Sequence, residues 1–282
     1  MNPITLAAPS LPEATPLELV DAAAAAGFSG LGLRLCASKL VEQPFHPIVG
    51  NAALITQIRR RLSETGLMLL DIYTFYLTSD FDFDACRVAM AVGAELGAQY
   101  AVVVGHGTAG PHVQATFERI CDIAGEFGMT AIVEFAPHLW PPTLARTLQL
   151  LRDADRPNAA IMPDPSHFLR SGATIADLRT IDRKYLRYSQ LCDVEFVGEE
   201  FLPNLGRIAP KTRRRLPGEG TAPLSQWLDA LPAGLPISVE CTPPPQGMSQ
   251  TDWAKAIYTS TRKTLEDYYA RKSATSSSAN EP

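Results

Sequence analysis

Apolar residues in this chain fall into short unbroken runs. "YAVVVG" (100–105) and "TAIVEF" (130–135) show no period-two alternation. Strands that are apolar on both sides are buried on both faces, as in parallel sheets covered by helices. The segments between them mix charge and alanine at helical spacing. The pattern predicts strands near 4–8, 30–35, 67–73, 100–105, 130–135, 159–164, 186–192 and 236–241, with helices in the gaps. The last predicted helix is "TDWAKAIYTSTRKTLEDYYARK", 251–272.

Glycine punctuates the early units. "DAAAAAG", "RRRLSETG", "AVGAELG" and "DIAGEFG" each run straight into an apolar strand. Gly27, Gly66, Gly97 and Gly128 are placed as helix-terminating residues in the left-handed region, where a side chain would be strained. Eight such strand–helix units over about 270 residues predict an α/β fold, a (β/α)8 TIM barrel. An open doubly wound sheet is the competing architecture, but no GxGxxG or P-loop follows any strand. One barrel domain is expected over 1–272, with the polar stretch "SATSSSANEP" (273–282) as a disordered tail.

Composition narrows the setting without changing the fold. The chain has 282 residues, 46% of them hydrophobic, and a net charge of −5, and its basic residues form no long block. A nucleic-acid partner is therefore not expected. Five scattered cysteines without a CxxC pair suit a reducing compartment. No signal-like start and no membrane-length apolar run is present, so a cytoplasmic protein with no membrane partner is expected.

Chemistry gathers at the strand ends, which is where such barrels carry their sites. Four consecutive strands close on an oxygen-bearing side chain: Glu134 in "IVEF", Asp164 in "MPDPSH", Gln190 in "YSQLCD" and Glu240 in "ISVEC". Gln190 is conspicuous, because an unpartnered amide in a strand interior costs about 1–3 kcal/mol. Three converging carboxylates repel unless a cation neutralises them. One divalent metal, with Gln190 supplying a fourth oxygen, resolves both problems. An all-oxygen set favours Mn2+ or Mg2+ over Zn2+.

"IVEFAPH", "PDPSHFLRSG", "YSQLCD", "RRRLPGEG" and "ISVE", in this order, resemble the xylose isomerase-like TIM barrels, the sugar phosphate isomerase/epimerase family. The resemblance covers residues 1–272 and is most specific over 130–241. It implies one divalent metal on Glu134, Asp164, Gln190 and Glu240, with Glu134 and Glu240 as the acid/base pair. The family carries histidine as third ligand, and the Gln190 variant resembles its 3-dehydroshikimate dehydratases. His167, three residues after Asp164, matches a substrate-contacting histidine. One of Arg213, Arg214 and Arg215, by offset Arg214, matches an arginine that anchors a substrate oxygen or carboxylate. Barrels of this family often pair, which allows a homodimer.

His106 and His138 follow strands 4 and 5 and are candidates for proton shuttling or substrate contact, while Asp193 reads as a structural acid. Tyr73, Phe75, Tyr76, Phe135, Trp140 and Phe168 place aromatic rings near the active face and hint at a cyclic or aromatic substrate. The expected reaction is proton abstraction beside a carbonyl of a small carbohydrate-like molecule, through a metal-stabilised enolate. An isomerase or epimerase returns the proton to the other face. A lyase expels a leaving group from the same enolate. A non-catalytic binding barrel and a zinc nuclease of the endonuclease IV type are the remaining readings. The first leaves the clustered acids without a role, and five histidines with a negative charge count against the second.

Overall fold

The structure is a computed structural model that describes residues 2–38, 44–105, 112–195 and 214–278. Eight parallel strands form one sheet: β1 (Ile4–Leu6), β2 (Gly30–Arg34), β3 (Met68–Leu77), β4 (Tyr100–Gly105), β5 (Thr130–Glu134), β6 (Ala159–Met162), β7 (Ser189–Leu191) and β8 (Ile237–Val239). Their order runs β6-β5-β4-β3-β2-β1-β8-β7. A parallel bridge between Ile161 and Leu186, and a hydrogen bond from the Gln190 amide to the Pro163 carbonyl at 2.9 Å, join the two ends. The sheet thus curls into the TIM barrel that the chain's pattern predicts, with all eight strands where it places them.

The helices that position the site are α1 (Pro16–Ala26), α2 (Ala52–Thr65), α3 (Phe83–Glu95), α4 (His112–Glu126), α5 (Leu144–Ala154) and α6 (Pro165–Arg170). Three more follow: α7 (Ile175–Arg179), α8 (Leu224–Ala230) and α9 (Gln250–Ser278). Gly27, Gly66, Gly97 and Gly128 all have positive φ, at 95°, 68°, 87° and 70°. Each turns the chain out of a helix and into the next strand. Two boundaries differ from expectation. β3 runs on to Leu77, since "TFYL" continues its β-prone residues, and α9 runs to Ser278, since no glycine or proline interrupts 273–278. The boundary drawn at Lys272 falls inside that helix.

Alternation along each strand divides the core into two layers. Leu69, Ile72, Val103, Val133, Ile161, Leu191 and Val239 point outward, under the helices. Leu70, Tyr73, Tyr76, Val102, Val104, Ile132, Ala160, Met162 and Tyr188 fill the barrel interior. The inward phase of β5 passes from Ile132 to Glu134, and that of β6 from Met162 to Asp164. The residue that follows Tyr188 in phase is Gln190, and Ser238 leads to Glu240. The four predicted side chains are therefore the top layer of the barrel's own interior.

The same alternation corrects the aromatic reading. Phe75 and Phe135 are out of phase with the interior and Phe168 lies on α6; all three pack in the outer layer, against which Trp140 also rests. Only Tyr73 and Tyr76 face inward. The ring-lined mouth expected from the sequence is mostly core, because Phe75 and Phe135 each follow or precede an inward-facing strand residue and so point outward, while Phe168 packs from α6.

Candidate active site

Asp164 begins with a local structural task. It is the N-cap of α6, with Pro165 at the first helical position and its Oδ1 accepting the His167 amide at 3.0 Å. The D-x-x-H spacing is the spacing from N-cap to third helical residue. It brings the His167 ring over the barrel mouth, with Nε2 3.6 Å from Glu134 Oε1.

Arg214 stands at the centre. Its Nη1 lies 2.9 Å from Glu240 Oε1, and its Nη2 lies 3.3 Å from Asp164 Oδ2, 3.9 Å from Glu134 Oε1 and 2.8 Å from His167 Nε2. A guanidinium only donates, so His167 Nε2 accepts and the ring is neutral, with its proton on Nδ1. Burial and then the Arg214 charge push the His167 pKa down to about 3, consistent with that tautomer.

The carboxylates divide in their proton affinity. Burial and the Glu240 charge hold Glu134 well above the usual carboxylate range, against the pull of Arg214. Burial also raises Glu240, with Arg214 opposing and Asp164 adding to the rise. For Asp164 burial is outweighed by Arg214, His167 and the amides of His167 and Ser166, and its pKa falls. One guanidinium thus faces three acids, and two of the three favour keeping a proton.

Gln190 is buried and donates through Nε2 to Glu240 Oε2 at 2.8 Å and to the Tyr73 hydroxyl at 3.2 Å. Its carbonyl oxygen is buried with no hydrogen-bond partner. An acceptor left over beside three carboxylates suits a cation. Ligand atoms of Glu134, Asp164 and His167 lie within 4.8 Å of one another, so these three could hold a metal ion. His167 thereby joins the group that could bind metal, and the preference for oxygen-loving cations over Zn2+ loses its premise that no nitrogen is present.

Of the three adjacent arginines, Arg214 faces the acids, Arg215 pairs with Glu195 at the surface, and Arg213 lies outside the described residues. His138 is exposed, its ring centroid 5.8 Å from that of His167. His106 also lies outside the described residues. Sequence reasoning missed two charged residues in the interior. Asp71 is fully buried, accepts the Tyr188 hydroxyl at 2.6 Å and sits against Gly32, where a Cβ would meet its Oδ1 at 2.1 Å. Arg34 ends β2 in the same inward phase as Gly32. Each is a lone polar side chain in an apolar run, which is the signal that singled out Gln190.

A family model for xylose isomerase-like TIM barrels matches residues 20–257. The chain belongs to the xylose isomerase-like TIM barrel family. No curated protein matches it in sequence. Among solved structures, the barrel is similar to a xylose isomerase-like TIM barrel/4-hydroxyphenylpyruvate dioxygenase fusion protein, with TM-score 0.78 and 18% identity over 98% of this chain. The chain spans 44% of that fusion protein's length. It is also similar to L-ribulose 3-epimerase, with TM-score 0.71 and 16% identity over 100% of both chains. A third relative is the probable 3-DHS dehydratase AsbF of Bacillus anthracis, with TM-score 0.68 and 18% identity over 92% of this chain and 98% of that one. At these identities the likeness is one of fold, and the fold hosts both an epimerase and a dehydratase.

Within this xylose isomerase-like barrel, Asp193 does the structural work expected of it. Oδ1 accepts the amides of Val194 at 2.9 Å and Ala222 at 3.0 Å, and Oδ2 accepts that of Gly218 at 3.0 Å. These bonds brace the Pro-Gly-Glu-Gly turn that follows Arg214. The Arg214 carbonyl is itself held by the Thr242 amide, at 3.0 Å. Asp193→Ala leaves three backbone donors without their partner, so a loss of about 3 kcal/mol is expected in urea unfolding. An unchanged midpoint would show that the turn holds itself.

Proposed function

We propose that the protein is a divalent-metal-dependent isomerase or epimerase that moves a proton on a carbon beside a carbonyl of a carbohydrate-like substrate. The observation that carries this reading is the pair Glu134 and Glu240. Both end inward-facing strand positions, both have a raised proton affinity in the metal-free site, and both reach one guanidinium. Burial and their mutual repulsion raise the proton affinity of both, a cation held beside them would lower it again, and a carboxylate so balanced can take a proton from carbon and give one back.

Glu134, Asp164, Gln190 and Glu240 would hold the divalent metal, with the His167 Nε2 lone pair beside them. The cation supplies Lewis-acid stabilisation of negative charge that develops on the substrate oxygen. Glu134 takes the proton from one side of the carbon and Glu240 delivers one from the other. Neutral His167 accepts a hydrogen bond from a substrate hydroxyl, and Arg214 turns its fork from the carboxylates to the substrate. The inward-facing Tyr73 hydroxyl steadies the Gln190 amide.

A second reading, a carbon–oxygen lyase on a cyclic hydroxy-keto compound, is favoured by Gln190 in place of histidine and by the resemblance to the dehydratase. One experiment separates the two. Metal-loaded protein in D2O is incubated with ketoses, inososes and keto-cyclohexane acids, and products are followed by mass spectrometry. Deuterium uptake without loss of mass, abolished by chelator and restored by Mn2+ or Mg2+, is the expected result. Loss of water selects the lyase. Uptake that survives chelation would rule out the metal.

A further inference from the structure

The residue that ends β2 is as much a part of the barrel mouth as the four acids. Leu31 and Leu33 point outward, so the Gly30, Gly32 and Arg34 phase points in. Arg34 ends that phase one layer above Gly32, whose Cβ would touch Asp71 and Tyr73. Its guanidinium interacts electrostatically with Glu240 and with Tyr73 and Tyr76. Yet the group it donates to is a carbonyl, that of Pro44 at 3.3 Å from Nη1, and among the described residues no carboxylate lies within 4 Å. A half-buried arginine in that position keeps most of its donors for something else.

Arg34 also forms one wall of a recess lined by Leu11, Leu33, Phe45 and His46. His46 turns a buried Nε2 into the protein with no hydrogen-bond partner. Two nitrogen-bearing side chains thus share one small recess, and the interaction of Arg34 with Glu240 links it to the barrel mouth.

The geometry points to Arg34 and His46 as a carboxylate-binding arm of the substrate site, so that the substrate is a hydroxy- or keto-acid carrying a single negative charge away from the reacting carbon. This rests on the proposed reaction for the location of the reacting carbon, though the arm itself does not depend on it. A carboxylate fits better than a phosphate. The helix that borders the recess, α1, has its N-terminus closed. Pro16 has no amide hydrogen, Thr15 caps the Glu18 amide at 3.4 Å, and Glu18 Oε2 accepts the Thr15 amide at 2.8 Å. Pro16 and the reciprocal Thr15–Glu18 bonds leave this terminus without a full amide cradle, and the Glu18 carboxylate repels a dianion more strongly than a monoanion. What remains is one planar fork and one imidazole, suited to a single carboxylate.

The test is calorimetric, on the full metal-loaded chain. The probes are quinate, its methyl ester and an inositol monophosphate, against wild type, Arg34→Gln and Arg34→Lys. Quinate is expected to bind at least about tenfold more tightly than its ester, as for a charge-assisted bidentate contact. Arg34→Gln should erase the preference, and Arg34→Lys, which keeps the charge without the fork, should keep part of it. Equal binding of acid and ester by wild type overturns the proposal even if the variants do not fold. So does a preference that survives Arg34→Gln, and so does tighter binding of the phosphate ester. A protein that prefers the acid but exchanges no deuterium with any keto compound would sink the proposed reaction and leave the carboxylate arm standing.

Discussion

Glu134→Gln and Glu240→Gln should each lower metal-dependent deuterium exchange by about 10³-fold, within the range that removal of a general acid or base produces. Glutamine keeps the size and the carbonyl of glutamate and cannot move a proton. The same substitutions should raise the stability of the metal-free protein. Burial and neighbouring acids hold both carboxyls above their ordinary proton affinity, so ionising them near neutral pH works against folding. An uncharged amide removes that repulsion, and a gain of about 1 kcal/mol in urea unfolding is expected, as found where a functional site is built against stability. The opposite signs are the point. An acid that only braced the barrel would lose stability on substitution, and one with neither role would change nothing. A variant that both unfolds earlier and retains exchange would remove the acid/base pair from the proposed reaction.

The fold was legible because the barrel repeats its signals. Eight apolar runs lie where eight strands are found, and the four helix-ending glycines all take positive φ. The positions of Glu134, Asp164, Gln190 and Glu240 were legible for a related reason. A polar residue at the end of an apolar strand has few places to be other than the mouth. What composition could not give was the direction of each side chain. Phe75 and Phe135 sit beside inward-facing positions in sequence, and that adjacency is what sends them to the outer layer, while Phe168 reaches it from α6.

Arg34 and Asp71 escaped for the converse reason. "GLGLRL" and "LMLLDIY" read as strands whose single charges pass for strand-end punctuation. Only the pairing shows otherwise. The register shifts by one residue between Leu31 and Gly32 against β3, which brings Gly32 opposite Asp71 and turns the acid into the barrel. Among the adjacent arginines, the choice of Arg214 over Arg215 likewise depended on the antiparallel bridge between Asp193 and Arg215, which directs neighbouring side chains to opposite sides.

Asp71 provides the second large effect, read in stability rather than turnover. Burial is the main cause that lifts its pKa to about 7, with the Tyr188 hydrogen bond opposing and the Glu240 charge adding to the rise. In the unfolded chain the same group titrates near 3.9. A carboxyl raised on folding contributes nothing below about pH 4, where it is protonated in both states. Its cost grows as pH climbs from 4 to 7, because the unfolded chain releases the proton and the folded chain keeps it, and above 7 it is constant. Three pKa units correspond to a cost on the order of 4 kcal/mol. Asp71→Asn has no proton to lose, and its amide oxygen can still accept the Tyr188 hydroxyl. The variant should therefore match wild type near pH 4 and exceed it by several kcal/mol at pH 8, measured by urea unfolding at both. A gap of equal size at the two pH values would mean that Asp71 is ionised throughout. It would then add a fourth negative charge beside Glu134 at both pH values and raise the proton affinity of that acid further.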